Sequence, residues 1–446
     1  MGVVSPTGYL PRRLSDSTVH PDPPSSLPDA PERVALLRRR RGGIPWLSLI
    51  GVLLLLFWAY WWTLNLIEGR LVAAEWTWVP WWDFLGVDFY HNWLAVRHWL
   101  AGGNPFAEDF GDPLGYRLNY MPIVLYVFAW TRLLDIYPAV IVWTIAGIGI
   151  FIAAAIACVR VRRELGLTPV PVPLAVALVL FATPVLFALE RGNYDVLVLL
   201  MILLSVGALR RTRARTGEPL AGAFMGLAVF LKTYPLLVLP VLLIFRRRRA
   251  LVCAVGVCLL LGVGFFRGNL AGLRNQQAVA EGRHGYPGWF GHSISGAWKW
   301  TTRDTPAAHV PGMVASAVML APLLAFVALR IRRAPPVDRD RLLLPALLFL
   351  TAAASAWTPI AMDYKLIFLP LAILSTWDRR DPWFVHVMVL PVLLYFQPLK
   401  LPIDVWPLFA MKVAGLVGAG LSLAAKTATN QAVIDPVSLS CGKRSG

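Results

Sequence analysis

PWLSLIGVLLLLFWAYWWTLNLI, residues 45–67, is the stretch that decides the fold class. It contains no charged residue, and it is longer than the roughly 20 apolar residues that a helix needs to cross a bilayer. It is also too long, and too far inside the chain, for a cleaved signal peptide. The sequence therefore predicts an integral membrane protein whose first span is this segment.

The composition of the whole chain agrees with that prediction. Hydrophobic residues make up 57% of the 446 residues and charged residues only 15%, whereas a soluble domain has about 25% charged residues. The net charge of +17 comes from short arginine clusters between apolar runs, at 38–41, 160–163, 210–215, 246–249 and 330–333. Such clusters indicate the cytoplasmic side of a membrane and not a nucleic-acid surface. The four cysteines form neither a disulfide pattern nor a metal-binding spacing.

The order of apolar runs and arginine clusters predicts an all-α, polytopic transmembrane bundle with about a dozen helical segments. Residues 1–43 are predicted to be a disordered basic cytosolic tail, 44–425 the transmembrane domain and 426–446 a second disordered cytosolic tail. We expect a re-entrant or surface-lying helix at 120–138, a hairpin of two short helices at 219–245 broken at KTYP, and outer loops at 68–118 and 267–310. The remaining predicted spans are 139–159, 170–189, 194–209, 250–266, 311–331, 341–357, 366–376, 384–397 and 404–425.

Polar residues outside the arginine clusters fall almost entirely on the predicted outer side. They are Asp88, His91, Arg191, Asn193, Asp195, His292, Lys299, Asp363 and Lys365. A mixed set of acids, bases and aromatic neighbours on one face indicates a functional site there.

The first of these segments is VDFYHNWLAVRHWLAGGNPF, residues 87–106. We expect an amphipathic helix in the membrane interface that begins at Asp88, ends at the Gly-Gly-Asn-Pro sequence of 102–105, and has an apolar stripe of Phe89, Trp93, Val96 and Leu100. Two roles for Asp88 have equal weight. It is either a helix cap or a carboxylate that takes a proton from a substrate hydroxyl. Glu75 and Asp83 are rival acids nearby.

Four other segments carry candidate residues. In ERGNYD, residues 190–195, the polar groups face a cavity, or else Arg191 snorkels and pairs with Asp195. Lys232 interrupts an apolar stretch, where it either binds an anion or snorkels to the interface. His292 and Trp298 lie in an aromatic outer loop that suits either a sugar or an interfacial belt. The fourth is TPIAMDYK, residues 358–365, in which Asp363 and Lys365 flank Tyr364 before an apolar run. DRD at 338–340 is not one of these segments and is interpreted as a solvated charge run and not as a metal-nucleotide motif.

Six stretches, taken together and in order, resemble glycosyltransferase family 87 of the C-type superfamily of membrane glycosyltransferases. They are DFYHNWLAVRHWLAGGNPF, YRLNYMPIVLYVFAWTRLL, ERGNYDVLVLLMILLS, AGAFMGLAVFLKTYPLLVLPVLL, FGHSISGAWKW and TPIAMDYKLIFLPL. The resemblance extends from about residue 45 to residue 400. One difference is that the family's His-His pair is Tyr364-Lys365 here.

The resemblance implies a GT-C-like fold and transfer of a hexose, by default mannose, from a polyprenyl-phosphate sugar to a glycan or glycolipid acceptor. It implies an inverting reaction on the extracytoplasmic face of the membrane that needs no nucleotide sugar there. The arginine clusters predict that both termini are cytoplasmic. We expect the plasma membrane as the location and no metal or cofactor. Asp88 matches the catalytic base. The residues assigned to the donor phosphate are Lys232, Lys365, His292 and Arg191, and those assigned to substrate binding are His91, Tyr120, Asn193, Asp195, Trp298 and Asp363.

Two other functions stay open. A transporter or flippase of lipid-linked sugars would have broken helices and charges near the bilayer midplane, in halves related by a repeat. The one-sided polar set and the absence of a repeat favour the enzyme, although Lys232 at a broken helix fits a transporter. A non-catalytic membrane assembly subunit is compatible with the change at 364–365.

Overall fold

The computed structural model describes residues 45–70, 72, 85–112, 115–211, 214–282, 293–294, 297–298, 309–358, 363–397 and 403–427. Over these residues the regular secondary structure is all helical, with seventeen α-helices and no strand. The all-α prediction is confirmed. There are more helices than predicted segments because several apolar runs break into two pieces.

The helices of the first half of the chain are α1 (Pro45–Glu68), α2 (Val87–Leu100), α3 (Ile123–Val127), α4 (Ile136–Glu164), α5 (Val172–Leu180), α6 (Thr183–Arg191), α7 (Asp195–Arg211), α8 (Ala214–Leu231) and α9 (Val241–Ile244). Those of the second half are α10 (Arg248–Gly264), α11 (Phe266–Gly282), α12 (His309–Arg333), α13 (Pro336–Arg341), α14 (Leu343–Trp357), α15 (Phe368–Thr376), α16 (Trp383–Tyr395) and α17 (Val405–Lys426). Short 3-10 helices lie at Ala129–Leu133, Tyr234–Val238 and Asp363–Ile367.

Four of the described helices are long and apolar enough to cross a membrane, and the number rises to six if each of two bent pairs is one span. The four are in α1, α4, α12 and α17, and the bent pairs are α5 with α6 and α10 with α11. The chain is thus a multi-pass membrane protein. Four further apolar segments are shorter, with 10–17 residues each, which is why the predicted spans outnumber the helices of full length.

The segment predicted as a span at 170–189 is bent, because α5 and α6 meet at an angle of 60°. The break falls between Leu180 and Thr183, just before Pro184, which has no N–H to continue the hydrogen-bond ladder of α5. The chain is held at the break by α16: the Thr183 N–H donates to the Phe396 carbonyl at 3.1 Å, and its hydroxyl donates to the Tyr395 carbonyl at 3.1 Å. These two hydrogen bonds therefore fix the direction of α6 relative to α5.

The segment predicted as an outer loop at 267–310 begins with a helix that was not predicted, since residues 266–282 form α11, which meets α10 at 92°. This helix lies along the segment that follows α2. The Asn275 side chain donates to the Phe106 and Leu118 carbonyls at 3.0 and 2.8 Å, while Arg267 and Arg274 are exposed. A search for apolar spans misses such a helix because its sequence is polar.

The break predicted at KTYP within 219–245 is present, since α8 ends at Leu231, just before Lys232. The segment after this break is shorter than predicted, with one 3-10 helix and the four residues of α9. At 120–138, where a re-entrant or surface-lying helix is expected, the chain forms α3, the 3-10 helix Ala129–Leu133 and the start of α4 at Ile136.

The charge run at 338–340 is not a freely solvated segment, because it lies in the short helix α13. Asp338 accepts from Arg341 at 3.2 Å and Asp340 from Arg247 at 2.8 Å. Within the described ranges, no group of three His, Cys, Asp or Glu side chains is arranged to hold a metal ion. Cys158, Cys253 and Cys258 are free thiols.

Candidate functional site

Asp88 lies in the first turn of α2, and its carboxylate is turned away from the helix end. Gly86 is the N-cap residue, with φ of 83° and no side-chain cap, so the interpretation of Asp88 as a cap is wrong. One carboxylate oxygen accepts a hydrogen bond from the Arg191 guanidinium, and the other accepts from the Asn193 amide at 2.8 Å. All three side chains are buried. The structure thus brings Asp88 to the tip formed by the end of α6 and the start of α7.

A backbone hydrogen bond joins these two segments independently of the ion pair, since the Gly86 N–H donates to the Glu190 carbonyl at 2.7 Å. Helix α4 also holds the tip, because the Trp143 indole N–H donates to the Gly192 carbonyl at 3.0 Å. Gly192 ends α6 with φ of +63°, a conformation that disfavours other residues. A Cβ atom there would lie 2.7 Å from the Cβ of Phe89. Only glycine allows the tip to approach α2 this closely.

The apolar stripe of α2 is buried in the protein at Phe89 and Val96, both with no exposed surface, so it is not the interfacial stripe that was predicted. The Phe89 ring contacts those of Phe128 and Trp143, each with centroids 5.7 Å apart. Leu100, at the other end of the stripe, is 44% exposed. Aromatic packing against α4 therefore fixes the start of α2, where Asp88 lies.

Asp195, the second acid of the tip, has different partners from Asp88. It accepts a hydrogen bond from the Tyr234 hydroxyl at 2.7 Å and lies 3.6 Å from the Lys232 ammonium. The alternative in which Arg191 pairs with Asp195 is wrong, since Arg191 pairs with Asp88. The Asn193 side chain joins the two acids, because its oxygen accepts from the Asp195 backbone N–H at 2.9 Å while its NH2 group donates to Asp88.

Lys232 follows the last residue of α8, and its ammonium group lies over two aromatic rings. The distances are 4.0 Å to the Tyr194 ring centroid and 5.0 Å to the Tyr120 ring centroid. The two rings meet edge to face, with centroids 4.7 Å apart. Cation–π contacts of this kind stabilise an ammonium that has lost its water, and Lys232 is only 8% exposed. Lys232 is thus a buried cation of the site and does not snorkel.

The 3-10 helix Asp363–Ile367 contributes Tyr364, whose ring packs on that of Phe187 in α6 at 5.3 Å. Asp363 itself faces elsewhere. Its carboxylate accepts from the Lys412 ammonium at 2.6 Å and from the Tyr395 hydroxyl. Asp363 therefore belongs to a second buried cluster with α16 and α17. Lys365 is half-buried on the same 3-10 helix.

The electrostatic environment keeps Asp88 ionised. Burial alone would raise the pKa of its carboxyl, but the charge and hydrogen bond of Arg191, the hydrogen bond of Asn193 and the charge of Lys232 outweigh burial and hold the pKa below its usual value. Burial raises the pKa of Tyr120 well above its usual value, and Asp88, Tyr364 and Asp195 add to that shift. At neutral pH the site therefore holds an anionic Asp88 and a neutral Tyr120.

The other predicted residues are placed as follows. His91, one turn after Asp88, lies with its Nδ1 3.0 Å from the Asp112 carboxylate and its ring against Tyr120 at 5.6 Å. Trp298 is 41% exposed. His292, Lys299 and the rival acids Glu75 and Asp83 lie outside the described residues.

Sequence reasoning missed Asp112, Tyr194, Tyr234 and Lys412. Tyr194 and Tyr234 stand within the quoted segments ERGNYD and KTYP, next to charged residues that were recognised. A search for aromatic neighbours of those charges would have found both. Lys412 is one charge inside the apolar run of α17, and such a charge in a span is itself a signal of a buried partner.

A family model described as glycosyltransferase family 87 matches residues 118–356, more than half of the chain. The matched range includes Tyr120, Arg191, Asn193 and Lys232, whereas Asp88 and Asp363 lie outside it. No curated protein and no solved structure matches the chain.

We expect Gly192→Ala to disrupt the site by separating the α6–α7 tip from α2. An alanine is strained in the left-handed conformation, and its Cβ would clash with the Phe89 Cβ, which cannot move without its backbone. Together these two effects should lower the free energy of unfolding by about 2–4 kcal/mol. Thermal unfolding of the detergent-purified protein measures the change.

Gly207→Ala is the matched control, since a Cβ at Gly207 in α7 meets nothing within 4 Å. It should leave the Tm unchanged or raise it slightly through helix propensity. Equal Tm values for the two variants would contradict the tight docking of the tip.

Proposed function

The chain belongs to glycosyltransferase family 87, and we propose that it moves a hexose, by default mannose, from a polyprenyl-phosphate sugar to a glycan or glycolipid acceptor. We further propose that the reaction takes place on the extracytoplasmic face of the plasma membrane. The observation that carries the proposal is the buried Asp88 carboxylate, held ionised by Arg191 and Asn193 in one cluster with the Lys232 ammonium.

In the proposed reaction Asp88 is the general base of a single displacement. The acceptor hydroxyl oxygen forms a bond to the anomeric carbon while the bond from that carbon to the phosphate oxygen breaks. The hydroxyl proton passes to Asp88, and the electron pair of the broken bond leaves with the polyprenyl phosphate. One displacement inverts the anomeric carbon and needs no covalent intermediate, so one carboxylate is sufficient.

The geometry of Asp88 is compatible with this role. Each carboxylate oxygen has a second acceptor position beyond the one used by Arg191 or Asn193, so a hydroxyl can still donate to it. The lowered pKa makes Asp88 a weak base. We therefore expect the proton to move late, after the new bond to carbon has made the hydroxyl acidic.

The leaving phosphate needs cationic neighbours, and Lys232 and Arg191 are the described cations beside Asp88. The Lys232 ammonium makes no hydrogen bond within the part of the chain that the structure describes, and it is held mainly by Tyr194, Tyr120 and the charge of Asp195. It therefore has donors to offer a phosphate oxygen. Lys365 and His292 are further candidates for the phosphate, and Trp298 for the sugars.

For the acceptor we propose the cleft of about 590 Å³ between the end of α2 and the bend from α10 to α11. Trp99, Phe106 and Tyr126 line it together with the exposed Arg267. Ring faces with a cationic donor suit a sugar or an anionic head group. The cleft also includes Pro122, two residues from Tyr120, so it lies beside the loop that reaches the Asp88 cluster.

The proposed orientation of the chain across the membrane follows from its arginine clusters. The cluster at 160–163 lies at the end of α4, whereas Val140 near the start of that helix contacts the position of Gly86 beside Asp88. Since arginine clusters favour the cytoplasm, the Asp88 end is expected to be extracytoplasmic and both termini cytoplasmic.

A transporter of lipid-linked sugars and a non-catalytic assembly subunit are the alternatives. The Asp195–Lys232 pair at the break after α8 is the feature that a transporter would also have. Asp88, at the start of α2, supplies the general base that a transfer reaction requires and that transport does not require. A transporter moves the donor between leaflets and leaves the sugar attached, so release of polyprenyl phosphate separates the two functions.

We expect Asp88→Asn to lower sugar transfer by about 10²–10⁴-fold, because the amide keeps the shape of the carboxylate but cannot accept the proton. The assay uses purified protein, radiolabelled polyprenyl-phosphate mannose and, as acceptor, lipids extracted from a strain in which the gene is deleted. Asp109→Asn, an exposed acid in the segment after α2, is the control. Undiminished transfer by Asp88→Asn would remove Asp88 from the role of base.

The pH dependence of transfer should report the pKa of Asp88. The reaction needs the ionised carboxylate, so the rate is lost as pH falls through that pKa, and in the wild type kcat/KM should stay flat from about pH 7 to pH 5. Arg191→Met removes the nearest cation and leaves burial to raise the pKa. The acid limb of the variant should therefore move towards neutral pH.

Arg210→Met, at an arginine paired with Glu164 far from Asp88 in sequence, is the control for the pH profile. Identical profiles for Arg191→Met and the wild type would show that Arg191 does not set the ionisation of Asp88.

We expect Lys232→Ala to raise the KM for the polyprenyl-phosphate sugar about tenfold or more and to lower kcat less, because it removes a charge that binds donor phosphate. Steady-state kinetics with varied donor give both constants. An unchanged KM would assign Lys232 to packing between Tyr120 and Tyr194.

A further inference from the structure

A groove of about 940 Å³ lies among α1, α5, α15 and α16, away from the site described above. Its walls are apolar side chains, among them Leu54, Phe57, Leu178, Phe181, Ile373 and Leu393. Phe57 and Leu178 are 59% and 48% exposed, so the groove opens to the outside of the bundle. Its occupant must therefore be soluble in the membrane.

The groove is remote from Asp88. Arg162 and Asp378 line its polar end, and Arg162 is in the last turn of α4. Val140, near the first turn of the same helix, is the residue that contacts Gly86 beside Asp88. The 22 residues between 140 and 162 span about 33 Å of helix, roughly the thickness of a bilayer core. The polar end of the groove thus lies at the opposite membrane face from the proposed reaction.

Two side chains at the polar end are available to an anion. Arg379 is exposed and makes no ion pair among the described residues. The His386 Nδ1 accepts a hydrogen bond from the Trp377 indole N–H at 3.0 Å, which leaves the proton of a neutral imidazole on Nε2 as a donor.

The two other charged groups at this end, Arg162 and Asp378, already have partners. The Arg162 guanidinium donates to the Leu374 and Trp377 carbonyls at 2.8 and 2.7 Å. The Asp378 carboxylate accepts from the Thr168 N–H at 3.1 Å, and the charges of Lys426 and Arg162 offset its own. The net character of the polar end is therefore cationic.

The length of the groove corresponds to a lipid chain of one leaflet. Helix α16, which forms one wall, has 13 residues and is about 20 Å long, shorter than a membrane span. Its end is fixed at the break between α5 and α6 by the hydrogen bond from Thr183 to Phe396. The groove therefore extends from one membrane face towards the middle of the bundle and ends near that break.

We propose that this groove binds an anionic phospholipid of the cytoplasmic leaflet. The head-group phosphate contacts the Arg379 guanidinium and the His386 Nε2–H, and one acyl chain lies between α5 and α16. Basic pockets between membrane helices on the cytoplasmic side select anionic lipids by the same charge complementarity. The lipid binds away from the reaction, so this proposal stands apart from the function proposed above.

Native mass spectrometry of the full chain in detergent tests the proposal, with phosphatidylglycerol and phosphatidylcholine of identical acyl chains added in turn. The wild type should retain phosphatidylglycerol more tightly than phosphatidylcholine. Arg379→Ala should weaken retention of phosphatidylglycerol about tenfold, because it removes one charge-assisted contact, and should weaken retention of phosphatidylcholine less, because the choline cation already offsets the phosphate charge of that lipid. Arg380→Ala, at the adjacent exposed arginine that does not line the groove, is the matched control and should bind as the wild type does.

A second variant tests the groove itself. Leu178→Trp places a larger side chain at an exposed wall position, so folding is preserved, as an unchanged Tm would verify, while retention of phosphatidylglycerol falls.

Four results would overturn the proposal. They are equal retention of the two lipids by the wild type, equal retention of phosphatidylglycerol by Arg379→Ala and the wild type, no effect of Leu178→Trp at unchanged Tm, and displacement of phosphatidylglycerol by a polyprenyl phosphate that binds more tightly and depends on Arg379. The last result would assign the groove to an isoprenoid phosphate.

Discussion

The ion pair between Asp88 and Arg191 is the interaction on which the arrangement of this protein depends. Burying either charge alone would cost several kcal/mol, so each side chain requires the other once the helices close around them. The pair joins the start of α2 to the end of α6, two positions that lie far apart in the sequence. The Gly86–Glu190 hydrogen bond and the absence of a side chain at Gly192 allow the backbones to approach closely enough for it to form.

Besides this pair, the protein contains two buried clusters that are built from the same three residue types. In each, a carboxylate accepts a hydrogen bond from a tyrosine hydroxyl and pairs with a lysine whose ammonium lies over a tyrosine ring. Asp195, Tyr234 and Lys232 form the first cluster, and Asp363, Tyr395 and Lys412 form the second. The first contributes its lysine to the Asp88 cluster. The second fixes the 3-10 helix that carries Tyr364, through the contacts of Asp363 with Lys412 and Tyr395.

Hydropathy and helix-ending residues were sufficient to predict the elements that form locally. The span at 45–67, the helix at 87–100 and the break at Lys232 each depend on a few adjacent residues, and each is present. The partners of the charged residues were not predictable in the same way. Arg191 is four residues from Asp195 in sequence, yet it pairs with Asp88, because the bend of 60° before α6 sets its direction and that bend depends on contacts with α16. Helix α11 was missed for a related reason, since its helical form depends on packing against the segment of Phe106 and Leu118 and not on an apolar run.

The right angle between α10 and α11 has a consequence for how this chain can vary among relatives. Gly272 lies directly against the Tyr120 carbonyl, and Asn275 holds the same segment from the next turn. Arg274, on the outer side, is exposed and does not line the cleft proposed for the acceptor, whereas Arg267 does. Among relatives, substitutions should therefore be frequent at the solvent-facing positions of α11 outside the cleft. They should be rare at Gly272, where a side chain would displace the backbone of Tyr120.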